Sequence, residues 1–185
     1  RFNSLEQSRE STIIELGESL ESKLDEAERL RIKIEDFKGL GIFTDEEIDR
    51  DIKYVLDRIN SFKLSAQRMT DIERKIHDEA KIIETLLPFI IHDYKWLGDV
   101  EMLFASTYDD LHNGIDSVAQ IKGPGGRNFG FEIDFTTSQQ AMLEKIRKSG
   151  ELLKAKGPNK VKYFDSAETG KIGNVQMPRI VFGDS

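Results

Sequence analysis

The 185-residue chain has no cysteine. Disulfides, thiolate nucleophiles and cysteine zinc sites are therefore excluded, and a reducing cytoplasm is the expected setting. Its three histidines, His77, His92 and His112, have no partners at i, i+4, so no helical zinc pair is present. Long hydrophobic runs are missing too. The longest candidate, Leu86-Leu87-Pro88-Phe89-Ile90-Ile91, is far short of the ~20 residues of a membrane span, and no membrane association is expected. No secretory leader is visible, and with Arg1 in first place the chain reads as processed or partial. Positive charge is in deficit: 27 Lys and Arg stand against 34 Asp and Glu, a net charge of -7. A nucleic-acid contact on such a molecule needs a local basic patch, or a metal bridging acid to phosphate.

Charge is abundant at 33% and hydrophobic content modest at 38%, as long solvated helices require. Apolar residues recur in steps of three and four at Ile13, Leu16, Leu20, Leu24, Ala27, Leu30, Ile34 and Phe37, which predicts an amphipathic helix ended by Gly39 and Gly41. Thr44 and Glu47 form a capping-box pattern. A second stripe follows through Ile48, Ile52, Val55, Ile59, Phe62, Ala66, Met69, Ile72, Ile76, Ile83 and Leu87, with no Gly or Pro before Pro88. This spacing predicts two long helices in an antiparallel, coiled-coil-like hairpin over residues 1–93. Such a hairpin offers a surface for a protein partner or for self-association.

Residues 94–185 change style. The region from Asp99 to Leu111 reads as a short helix with Val100, Leu103, Phe104 and Tyr108 inward, stopped by Asn113-Gly114. Ile115–Ile121 and Phe129–Thr136 read as strands joined by the Gly123-Pro124-Gly125-Gly126 turn. A helix from Ser138 to about Lys156 follows, then strands at Val161–Phe164 and Pro178–Phe182. The expected class is α+β, a helical hairpin followed by a small α/β domain of order αββαββ.

Three acids gather on the predicted hairpin. Asp116 stands early in its first strand, and Glu132 and Asp134 are two apart on the second, so alternation turns them to one side. Carboxylates that close repel unless a cation or a basic group neutralises them. Two or three of them with free water positions suit Mg²⁺ or Mn²⁺, and Mg²⁺ most often works on phosphate. Alternating acids also mark the wet face of any half-exposed strand, and Phe131, Ile133 and Phe135 supply the matching apolar face.

The run Asn113-Gly-Ile-Asp116, a turn, then Gly130-Phe-Glu132-Ile-Asp134-Phe-Thr-Thr137 and a helix resembles the core of the PD-(D/E)XK, or restriction-endonuclease-like, nuclease superfamily. The resemblance covers residues 94–185 and implies that Asp116 and Glu132 hold a metal, with Glu101 matching the helix acid of some members. Asp134 stands where that family has its catalytic lysine. Either a lysine has moved, with Lys122, Lys145 and Lys148 nearest, or Asp134 holds a second metal, or the domain is inactive. Lys145 is taken as the catalytic candidate, and Lys122, Arg127 and Lys148 as contacts to nucleic acid. The implied function is a metal-dependent nuclease-like domain; the alternative is a non-enzymatic coiled-coil scaffold carrying an inactive one.

Overall fold

The computed structural model describes residues 19–95, 98, 100–123, 128–136 and 139–183. Helix α1 covers 19–30, and a 3₁₀ turn at Ile34–Phe37 follows it. Helices α2 (Asp45–Ala66) and α3 (Asp71–Asp93) come next. Beyond them lie β1 (Val100–Phe104), a π-helical turn (Asp109–Asn113), β2 (Ser117–Lys122), β3 (Asn128–Thr136), α4 (Gln139–Lys156), β4 (Asn159–Ser166), β5 (Gly170–Met177) and β6 (Arg179–Gly183). The class is mixed α+β, with helices first and a small mixed sheet after them.

The long second helix is two helices. Thr70 accepts from the Glu73 backbone N–H while the Glu73 carboxylate accepts from the Thr70 N–H, so a capping box restarts the helix after Ala66. Thr70-x-x-Glu73 was the readable signal, masked by an apolar period that runs on in phase. Pro88 does not end α3; it lies inside it, fully buried. α1 packs through Ala27 on Phe89 of α3 and Phe104 of β1, and α2 and α3 are separated by the break at 67–70.

The expected helix over 99–111 is instead strand β1 and the π-helical turn; Asp99, its expected cap, lies outside the described residues. Both faces of β1 are covered, so its apolar residues fail to alternate and mimic a helical period. β1, β2, β3 and β6 form one sheet in that order, antiparallel except for the parallel β3–β6 pair. α3 covers one face, where Leu87 and Ile91 meet Val100, Ala119 and Ile133. The β4–β5 hairpin covers the other through Val161, Phe164 and Met177 against Val118. β5 was expected to be loop. Its Gly173 lets Phe43 and Ile42 approach so closely that an added Cβ would lie 2.6 Å from the Phe43 ring and 2.7 Å from Ile42.

Phe43, Ile48 and Val55 share a core with Phe37, Tyr108 and Tyr163, so the helical half and the sheet half are packed together. Polar bonds fix the same junction. Tyr163 donates its hydroxyl to Asp51 at 2.7 Å, and the Lys162 ammonium meets Asp51 at 2.5 Å and Glu47 at 2.7 Å.

Candidate functional site

The ladder between β2 and β3 pairs Val118 with Glu132 and Ser117 with Ile133. Its next step sets position 116, just before β2, against position 134 on β3. Asp116 is half-buried, and its carbonyl accepts from the Ala105 N–H at 3.1 Å, which holds the approach to β2 against the end of β1. The Asp134 side chain lies outside the described residues; its backbone pairs with Val181 of β6. Glu101 belongs to β1, not to a helix, and is partnered by Gln120. Four positions separate it from Ala105, roughly 13 Å along a strand, so it stands away from Asp116.

Glu132 is fully buried. On the parallel strand its neighbour is Arg179, whose guanidinium forms an ion pair with the Glu132 carboxylate. Asn159, at the start of β4, donates to the other carboxylate oxygen at 2.6 Å. Arg179 also donates to the Gly114 carbonyl at 3.1 Å, two residues before Asp116. A buried carboxylate needs this compensation, because leaving it charged and alone in the interior would cost several kcal/mol. Glu132 is thus neutralised by protein groups.

α4 lies over the β3–β6 side of the sheet. A cavity of about 230 Å³ opens there, with Ile146, Leu153, Pro158 and Val181 as apolar walls and Asn159 and Arg179 at its polar end. Lys145 is half-buried on this helix, one residue before Ile146. Lys148 is exposed and paired with Glu144 at 2.9 Å; Lys122 is exposed and paired with Glu168 at 2.8 Å. The carboxylate beside Lys122 raises its pKa. Exposed pairs of this kind contribute little to stability. Arg127 lies outside the described residues. Among the described residues no group of three His, Asp or Glu side chains is gathered to hold a metal.

Two acids with clear duties escaped the sequence reading. Asp109 is fully buried in the π-helical turn. Its carboxylate accepts from Ser106 Oγ and Asn113 at 2.7 Å each, and from the backbone N–H groups of Lys162 at 2.7 Å and Tyr163 at 3.0 Å. Burial pushes its pKa up, and the four hydrogen bonds work against that rise. Ser106-x-x-Asp109, with the Asp109 N–H returning to Ser106 Oγ, is a capping-type pattern the sequence did carry. Asp51 left no local signal, since its partners are more than 100 residues away. His112 stacks on Tyr108 at 4.9 Å and meets Tyr54 edge-on, so its ring is part of the packing. Compared with protein-family models, curated proteins and solved structures, the chain finds no match.

Proposed function

We propose that residues 94–185 form a metal-dependent nuclease-like domain of the PD-(D/E)XK kind, acting on or binding nucleic acid. The observation that carries this reading is the order α3-β1-β2-β3-α4-β6, with β3 and β6 parallel. It is the helix, strands, helix, strand succession the resemblance implies, and β4–β5 is an insertion between α4 and β6. The register adds weight, because position 116 enters β2 against position 134.

Glu132 does not suit a metal as it stands, since its oxygens already face Arg179 and Asn159. Asp116 and Asp134 are the residues that would hold Mg²⁺ or Mn²⁺. Bound there, the ion would polarise a phosphodiester and lower the pKa of an attacking water. Arg179 holds Glu132 and the Gly114 carbonyl together, which keeps the turn before Asp116 in position. Lys145, carried by the helix over this face, takes the role of the family's displaced lysine and offsets negative charge growing on the phosphate. Lys122 and Lys148 exchange their surface carboxylates for backbone phosphates.

The test is cleavage of labelled single- and double-stranded DNA and RNA with Mg²⁺ or Mn²⁺. Asp116→Ala and Asp134→Ala abolish cleavage, and Lys145→Ala slows it by on the order of 10²-fold. Both aspartate variants also lose the metal-dependent rise in melting temperature of the wild type. Cleavage that survives Asp116→Ala, or a wild type indifferent to metal in both assays, overturns the reading.

A further inference from the structure

The inner halves of α2 and α3 bury their apolar stripes in the body, through Ile48 and Val55 on one and Leu87 and Ile91 on the other. Each stripe continues outward in phase, past the point where the body ends. On α2 it runs on through Phe62 and Ala66, and on α3 through Ile76 and Ile72. Phe62 is 48% exposed, Ile76 61% and Ile72 74%, and every residue from Asp71 to Lys81 is exposed. With these side chains exposed on both sides of the break at 67–70, neither outer half covers the other's stripe.

We infer that this elbow is a dimer interface, in which the outer half of α2 from one copy lies on the outer half of α3 from a second copy. Charge selects that occupant. Residues 57–68 carry Arg58, Lys63 and Arg68 against Asp57, a surplus of two positive charges. Residues 71–84 carry Asp71, Glu73, Asp78, Glu79 and Glu84 against Arg74, Lys75 and Lys81, a surplus of two negative charges. A twofold axis through the elbow sets each basic half on the acidic half of the other copy, twice over, and covers the four stripes together. An α2–α2 or α3–α3 pairing would oppose like charges instead.

Sedimentation velocity at micromolar concentration tests this with the full chain. The wild type sediments as a dimer. Ile72→Asp with Ile76→Asp sediments as a monomer with unchanged far-UV circular dichroism, since both side chains are exposed in the single copy. Lys63→Glu with Arg68→Glu also dissociates it, and adding Asp78→Lys with Glu79→Lys to that chain restores the dimer. A monomeric wild type, a dimer that survives the isoleucine substitutions, or charge reversal without recovery overturns the proposal. None of these outcomes bears on the nuclease assay, which reads the opposite end of the chain.

Discussion

Arg179 is the side chain whose loss tells most about the acidic row. Glu132 is wholly buried, while the Arg179 side chain keeps 18% of its exposure. Removing the guanidinium takes the cation from a buried carboxylate, a change that costs roughly 3–5 kcal/mol. Arg179→Ala therefore melts far below the wild type in a chemical denaturation series, and Arg179→Met combined with Glu132→Leu recovers most of the loss. A double variant no more stable than Arg179→Ala would show that the pair is not the source of the cost. A second residue-level expectation concerns alkali. Burial raises the Tyr163 pKa, and its hydrogen bond to Asp51 raises it further. Burial works against the charge on Lys162, yet Asp51 and Glu47 outweigh it and raise that pKa as well. Both groups are protonated in the folded and unfolded chain at neutral pH. Above about pH 10 the unfolded chain releases these protons first, so the folded state binds more of them and stability falls as pH climbs. Tyr163→Phe flattens that fall. An unchanged slope between pH 9.5 and 11 in denaturant titrations, to about 0.2 kcal/mol, would remove Tyr163 from the account.

Among the elements, those with a marked start or a strong turn signal beside them could be read from the sequence. α2 begins at its Thr44 cap, β2 and β3 pair on either side of the glycine-rich segment, and α4 and β4 stand near their expected bounds. β1 was misread because both of its faces are covered, which removes the alternation that reveals a strand. β5 was missed because its exposed row carries Ile172 and its inward row carries Lys171 and Gly173 beside Val175 and Met177, which blurs the alternation. The break between α2 and α3 hid behind a stripe that never loses phase. That cap now gives a local expectation. Thr70→Ala removes the hydroxyl that accepts the Glu73 N–H, at about 1 kcal/mol. The outer half of α3 makes few contacts with the body, so the loss stays local, as faster amide exchange from Asp71 to Ile76 with little change in the global melt. A global melting shift without faster exchange there would mean that this half is anchored.

Across the molecule, what local patterns cannot supply is pairing over distance. The three acids were visible, and so was the adjacency of the strands that bear them. That Glu132 belongs to Arg179 was not, because 46 residues and a parallel strand lie between them. The same holds for Tyr163 and Asp51, which join the last third of the chain to its helical part. The resemblance counted Glu132 among the metal ligands, whereas in the folded chain its carboxylate faces Arg179 and Asn159.

The base of the β4–β5 hairpin lies beside Glu132. Asn159 opens it, Met177 faces Asn159 across its base, and Pro178 alone separates Met177 from Arg179. Both groups that hold Glu132 thus hang from the same hinge. The hairpin's far face is bolted to α2 through Lys162 and Tyr163. Any displacement of that hinge therefore reaches the Asn159 amide and the Arg179 guanidinium together, the two groups that compensate the buried Glu132 charge.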